Sequence, residues 1–245
     1  MDIAPLQLAW AAGLFDGEGS ASSYLPKARR TRRRQIQVSQ GGVPGIFPEV
    51  LVRFRATTEG RGGITGPYRG YLYYWKTTRS DDIDAISTAL WPYLSFEKRT
   101  QLSRVAQDVG RVAPLVRASR SAEAERAWAA GLFDGEGCLY LTRERASGWR
   151  GVSLYLSQSA KTGPPDTILR FHLAISGIGS MTGPHAPRSP WSRLPQYHWQ
   201  TSGRHAVSRV LRILWPYLGT VVRERVLRAG AHLDADFAMG RPLAE

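Results

Sequence analysis

Cysteine is nearly absent from this 245-residue sequence: Cys138 is the only one. That excludes an internal disulfide and a zinc site built on cysteine pairs. Histidine is sparse too. The five, at 172, 185, 198, 205 and 232, show no zinc-ligand spacing. No apolar run is long enough to span a bilayer. The N-terminus, with Asp2 and no basic region, does not read as a signal peptide. Acidic residues are few beside basic ones, 20 against 33, which leaves a net charge of +13 and a pI near 10.4. Such a charge selects a polyanionic partner, nucleic acid first and an acidic membrane surface second. Lysine is scarce at 4, against 29 arginines. Arginine forks onto guanine or phosphate, which suits DNA, although a GC-rich genome produces the same bias. With 42% apolar residues the chain can bury a proper core, and its length allows one large or two small domains. The expectation is a soluble, cytoplasmic protein with no membrane role.

What the sequence does have is a repeat. Residues Trp10–Gly19 read Trp-Ala-Ala-Gly-Leu-Phe-Asp-Gly-Glu-Gly, and Trp128–Gly137 read the same ten letters. Other landmarks recur in the same order. Val38-Ser39-Gln40 matches Leu156-Ser157-Gln158 at an offset of 118, and Ile64-Thr65-Gly66-Pro67 matches Met181-Thr182-Gly183-Pro184 at 117. Tyr74-Trp75-Lys76-Thr77 matches His198-Trp199-Gln200-Thr201, and Leu90-Trp91-Pro92-Tyr93-Leu94 matches Leu214-Trp215-Pro216-Tyr217-Leu218, both at 124. The change from 117 to 124 places a seven-residue insertion around His185–Pro195, rich in turn formers. Residues 1–109 and 122–245 are therefore two copies of one unit. The segment 110–121, without an apolar period, is the linker.

Each copy reads as helix, two strands, helix, two strands, helix, with a further helix after it. Helices are expected at 5–16, 44–57, 81–91 and 96–109, and strands near 19–25, 34–40, 63–66 and 71–78. In the second copy helices fall at 122–134, 164–175, 203–215 and 221–237, and strands at 137–143, 150–158, 178–182 and 196–202. Trp75, Trp91, Trp199 and Trp215 recur at matched places and read as core.

The decapeptide is an apolar run that ends in glycines, as a helix that stops, with Gly17 and Gly19 as cap residues. Ala9 and Gly13 share a helix face, as do Ala127 and Gly131. Small residues on one face let two backbones approach closely. Copy one should therefore pack on copy two, which brings Glu18 beside Glu136 at the negative ends of two helix dipoles. Like charges so placed are unfavourable until a divalent cation sits between them. Paired carboxylates holding a hard cation suit phosphodiester hydrolysis.

On these residues the chain resembles the LAGLIDADG homing endonucleases in their single-chain, two-motif form. Ala11 to Gly19 and Ala129 to Gly137 look like the family motif. The resemblance implies an α+β fold of two pseudo-symmetric αββαββα units, whose antiparallel sheets form a saddle over the DNA major groove. It implies a monomeric, intron-homing type of endonuclease. Such an enzyme cuts both strands of a long target across the minor groove and leaves 3′ overhangs. It maps the metal ligands onto Glu18 and Glu136, and makes Asp16 and Asp134 helix-end structure. Mg²⁺ is the implied ion, with Mn²⁺ as a substitute and Ca²⁺ supporting binding without cleavage. Gln40 and Gln158, each 22 residues after its glutamate, match a polar position near the metal. Lys98 matches a lysine near the attacking water. Copy two has Val222 there, so either the strands are cut unequally or the adjacent Arg223 substitutes.

Lys27, Arg29, Arg30, Arg32, Arg33 and Arg34 put six cations into eight residues between the first two strands. Phosphate contacts are expected of them. Alternation before Gln40 puts Gln35 and Gln37 on one face and Ile36 and Val38 on the other. The polar face should meet DNA, where glutamine suits adenine. By the same logic Ser22, Tyr24, Lys76 and Thr78 face DNA, and in copy two Tyr140, Thr142, Ser153, Tyr155, His198 and Gln200. The copies differ at these positions, so the target should be non-palindromic. Two other readings share the fold: a DNA-binding protein that has lost cleavage, and a maturase that binds intron RNA.

Overall fold

A computed structural model describes residues 5–25, 33–106, 121–141, 151–187 and 194–234. The first repeat runs α1 (Pro5–Glu18), β1 (Gly19–Tyr24), β2 (Arg33–Gly41), α2 (Glu49–Thr57), β3 (Gly63–Tyr68), β4 (Leu72–Thr77), α3 (Ser80–Leu90) and α4 (Phe96–Ser103). The second runs α5 (Ala122–Glu136), β5 (Cys138–Leu141), β6 (Val152–Ser159), α6 (Asp166–Ala174), β7 (Ser180–His185), β8 (Gln196–Ser202), α7 (Arg204–Leu214) and α8 (Thr220–Arg228). A single 3₁₀ turn, Gly230–His232, follows α8. The fold is α+β with two antiparallel four-stranded sheets, of order β1-β2-β4-β3 and β5-β6-β8-β7. Most of the linker, and the centre of the insertion after β7, lie outside the described residues. Among the described residues no helix is long and apolar enough to cross a membrane.

The element order is the expected one, and the differences have local causes. The helix expected at 44–57 starts only at Glu49, because Pro44, Gly45 and Pro48 hold the preceding stretch out of the helical region. α4 stops at Ser103 and α8 at Arg228, both short of the expected ends. α1 and α5 run further than expected, through the motif glycines to Glu18 and Glu136.

Each sheet buries one face. In β2, Ile36 and Val38 point inward, and Val38 pairs with the buried Trp75 of β4. Trp75 meets Phe54 of α2 edge to face at 4.7 Å, and Phe54 stacks on Phe15 of α1. Trp199, Phe171 and Phe133 repeat that cluster, with Trp199 and Phe171 4.9 Å apart. Trp91 and Trp215 are only partly buried and lie at the edge of this core, each beneath an arginine, Arg99 or Arg223.

The repeats meet along α1 and α5. A Cβ on Gly13 would lie 1.9 Å from the Trp128 carbonyl oxygen, and one on Gly131 would lie 1.9 Å from that of Trp10. Only glycine fits at either crossing point. The first residue of each decapeptide then reaches into the other repeat. Trp10 Nε1 donates to Asp134 Oδ2 at 2.7 Å, and Trp128 Nε1 donates to Asp16 Oδ2 at 2.7 Å. Over each indole lies a guanidinium at 3.8 Å from the ring centre, Arg53 on Trp10 and Arg170 on Trp128. These arginines also cross the interface, donating to Tyr217 O and Tyr93 O respectively. The matched Trp-Pro-Tyr-Leu turns thus accept hydrogen bonds from the opposite repeat.

Candidate active site and nucleic-acid interface

The close helix contact continues to the tips. A Cβ on Gly17 would fall 2.9 Å from Glu136 Cγ, and one on Gly135 would fall 3.0 Å from Glu18 Cγ. Each glutamate side chain therefore lies against the glycine that precedes the other. Gly17 and Gly19 do not act as left-handed caps: neither has positive φ, and Gly137, which ends α5, has φ −76 and ψ 141. Proximity, not backbone freedom, requires glycine in the Asp-Gly-Glu-Gly segment. A Cβ on Gly19 would lie 2.4 Å from the Phe15 carbonyl oxygen.

Burial pushes the Glu18 carboxyl up to about 7, and the nearby charge of Glu136 pushes the same way. The Ser39 hydroxyl, 3.5 Å away, and Lys98 pull it back. Glu136 is also raised by burial, against the pull of Lys98 and of Gln158. Gln158 Nε2 donates to Glu136 Oε1 at 3.4 Å, and its own Oε1 accepts from Thr167 Oγ1 at 2.7 Å. The paired acids are thus poorly solvated and mutually repulsive, a situation that a cation relieves.

Lys98 sits in the first turn of α4. Ser95 caps that helix, accepting from the Lys98 amide, and its own N–H and hydroxyl donate to Asp16. Lys98 Nζ donates to the Gly19 carbonyl beside Glu18. Burial lowers its pKa, while Asp16, Glu97, Glu136 and Glu18 hold the proton on. A cleft of about 400 Å³ brings Lys98, Ser95 and Glu97 of the first repeat together with Glu136, Gln158 and Thr167 of the second.

In the second repeat Val222 occupies the Lys98 position and is 7% exposed. The adjacent Arg223 donates through Nη2 to Pro216 O at 2.9 Å, as Arg99 donates to Pro92 O at 3.0 Å, so it repeats that contact of Arg99. Gln40 has a buried Oε1 with no hydrogen-bond partner among the described residues. Its counterpart Gln158 is held by Thr167, where the first repeat has the buried Val50. Asp134, pushed up to about 6 by burial, accepts from Trp10 and from the Gly219 amide.

The sheet registers collect the residues expected to face DNA. Ser22 pairs with Gln35 and Tyr24 with Arg33, while Gln37 pairs with Lys76, so all share the face opposite Ile36 and Val38. Thr78 lies just past the end of β4 and is exposed. In the second sheet Tyr140 pairs with Ser153, Tyr155 with Gln200 and Ser157 with His198, again on one face. A depression of about 590 Å³ there is lined by Tyr140, Ser153, Tyr155 and Gln200. Two expectations need correction. Arg34 is tied into the fold, donating to Val105 O and Ser80 Oγ, because it points to the inner side with Ile36. His198 is 6% exposed, hydrogen-bonded to Tyr155 and Ser157 and covered by the ring of His185 at 4.6 Å. His185 therefore presents at that place instead. Lys27, Arg29, Arg30, Arg32 and Thr142 lie outside the described residues.

Sequence reasoning missed Ser39, Ser95, Thr167 and His185. The serine cap three residues before Lys98 was a readable signal. Thr167 had none, since its repeat counterpart is an aliphatic residue.

Two repeats joined by glycine-bearing helices, each carrying a four-stranded antiparallel sheet, define the fold of the single-chain LAGLIDADG homing endonucleases. The structure is similar to that of I-GzeII in complex with its DNA target, with a TM-score of 0.59 at 14% identity, covering 95% of this chain and 94% of that one. A lysine-to-alanine variant of I-SmaMI gives a TM-score of 0.56 at 12% identity over 95% and 96% of the two chains. I-SmaMI bound to cleaved DNA gives 0.53 at 12% identity over 95% and 93%. At such identities the likeness is one of fold. No protein-family model and no curated protein matches the sequence.

Proposed function

We propose that this protein is a site-specific, divalent-metal-dependent DNA endonuclease. The observation that carries the reading is the packing of Glu18 and Glu136 against each other's motif glycines, beside Lys98. Around them stand two sheets whose polar faces offer Gln, Ser, Tyr, Arg and Lys side chains. Their chemistry fits base-edge and phosphate contacts. The charge of +13 supplies the attraction to a polyanion. The solved I-GzeII and I-SmaMI structures of the same fold contain DNA, one I-SmaMI complex with uncleaved target in the presence of calcium ions.

The carboxylates fit a hard cation such as Mg²⁺. Among the described residues no group of three His, Cys, Asp or Glu side chains gathers to hold a metal. Glu18 and Glu136 would then be the charged ligands, with amide oxygens, water and the DNA phosphate completing the set. Bound there, a divalent ion supplies charge neutralisation at the scissile phosphate and a more acidic water. Gln158, fixed by Thr167, orients solvent at Glu136, and Lys98 places a proton-bearing cation beside the phosphate path.

The test is selection of cleaved members from a randomised plasmid library with Mg²⁺, scored by capture of 3′-overhanging ends. One recurrent, non-palindromic sequence is the expected product. Absence of any cut in Mg²⁺ or Mn²⁺ by folded protein would remove the endonuclease reading. Tight binding of the same library without cutting would leave a DNA-binding protein.

A further inference from the structure

Two helices of the second repeat carry charge that their counterparts in the first do not. α7 turns Val207, Val210, Leu211 and Leu214 inward, against the face of β6 and β8 that holds Leu154, Leu156 and Trp199. Its exposed stripe therefore points away from the face that carries Tyr155 and Gln200. The segment after α8 folds back onto α7. Arg204 Nη2 donates to Ala231 O at 3.4 Å, and the Asp234 amide donates to Ser208 Oγ at 2.9 Å. Residues 204–228 thus form one helical layer, with six arginines against one acid, Glu224. The matched stretch 80–104 has three bases against four acids. Where the second repeat has Arg204, His205, Arg209, Arg212 and Arg225, the first has Ser80, Asp81, Ala85, Thr88 and Gln101. Both sets of residues build the same helix pair, so the fold does not require the cations. Ion pairs do not account for all of them either. Glu224 meets Arg228 at 3.7 Å, while Asp234 meets Arg212 at 3.1 Å and His205 at 2.8 Å. Arg204, Arg209 and Arg225 are exposed and form no ion pair among the described residues.

We propose that this layer is a second, sequence-independent site for duplex DNA, which takes up a further segment while the sheets hold the target. The proposal rests on the reading of the polar sheet faces as the target-binding surface. A helix with its side chains is about 10–12 Å across. The arginine stripe thus stands more than a Debye length, about 8 Å at physiological ionic strength, from those faces and adds little to attraction there. It acts on a different stretch of polyanion. Guanidinium groups fork onto phosphate oxygens. Residues 204–228 contain no Asn or Gln, so the layer offers phosphate contacts in place of amide readout of bases. No aromatic side chain in that stretch is exposed. That removes the stacking platform on which single strands are held, and the bulky anchors of a membrane-surface helix. Once the sheets hold one segment, the rest of the same long DNA meets the layer at high effective concentration. The protein then bridges two segments and passes from one to the other without release into solution.

The experiment holds the full chain on an immobilised target duplex in Ca²⁺ and adds a fluorescent duplex of unrelated sequence. Recruitment of the second duplex to the protein-bearing surface is the expected result. The variant Arg204→Ser, Arg209→Ala, Arg225→Gln installs the first repeat's residues. It should recruit the second duplex at least about tenfold more weakly, with a salt slope lower by about three. Its affinity for the immobilised target and its cutting of that target in Mg²⁺ should stay within about twofold of the parent. A target-bound parent that recruits no second duplex overturns the proposal, as does a variant that recruits it normally. A structured RNA or vesicles of anionic lipid that displace the second duplex at a tenth of its concentration overturn duplex DNA as the occupant. Folded protein that holds no duplex at all overturns the target-binding reading of the sheets instead. If the triple variant fails to fold, Arg209→Ala with Arg225→Gln, both exposed positions, decides by the same measurement.

Discussion

Replacing Gly13 by alanine tests the contact on which the whole site depends. The new Cβ would lie 1.9 Å from the Trp128 carbonyl oxygen, and both partners are backbone. A carbon and a carbonyl oxygen settle at about 3.3 Å, so the helices must part by about 1.4 Å at the crossing. Overpacking of a well-filled interface costs about 1–3 kcal/mol. Separation also stretches the two indole–carboxylate bonds that now stand at 2.7 Å. Each is a charge-assisted bond between buried groups, and weakening the pair adds about 2–3 kcal/mol. The expected loss is about 5 kcal/mol, a large fraction of the stability of an ordinary domain. For a chain of this size that corresponds to a fall in Tm of about 10–20 °C by differential scanning calorimetry. Gly63→Ala is the control, because no atom lies within 4 Å of its Cβ and its φ is not positive; it should leave Tm nearly unchanged. A shift at Gly13 below about 3 °C would refute the reasoning, since the helices would then have slack that this geometry denies.

Three further outcomes are expected. Glu18→Gln or Glu136→Gln should abolish double-strand cleavage while target binding in Ca²⁺ persists; normal cutting by either variant rejects the assignment. Without divalent ions the protein should be more stable at pH 5 than at pH 8. The Glu18 pKa is raised to about 7 from an ordinary 4.5, so the folded state holds its proton more tightly. That stabilisation is fully present below the unfolded pKa and is lost as pH rises through about 7. It amounts to about 2 kcal/mol after allowance for partial solvation. Glu18→Gln should flatten the pH profile, and an unchanged profile would show that this carboxyl is not the titrating group. Arg33→Ala should weaken binding to specific and random duplexes alike and reduce the salt slope by about one, whereas Gln35→Ala should affect the specific site alone. A salt slope unaltered by Arg33→Ala would remove Arg33 from the phosphate contacts.

The sheets and helices were legible because their residues carry period. Ile36 and Val38 alternate with Gln35 and Gln37, and the structure keeps that division between core and open face. The duplicated decapeptide announced two helices in contact, and small residues spaced at Ala9 and Gly13 named the touching face. Misreadings arose where a residue's role depends on what comes to meet it. Gly17 looked like a cap because a glycine near a helix end usually is one, yet it is small for the sake of Glu136. Arg34 looked like one more cation in a basic run, yet strand parity turns it inward to Val105 and Ser80. Arg223 was one of two readings of the absent second lysine, and its position in the turn gives it the carbonyl contact that Arg99 makes in the first repeat.

By itself the sequence determined the duplication, the order of elements, the polar and apolar faces of the strands and the pairing of Glu18 with Glu136. All of these are local periodicities or exact repeats, which survive being written in one dimension. The tertiary structure alone decided that each motif tryptophan serves the aspartate of the other repeat, that Thr167 holds Gln158, and that Glu49 fills the room beside Gly219. These contacts join residues distant in the chain across a pseudo-twofold interface. Their existence depends on distances of a few ångströms that no spacing in the sequence encodes.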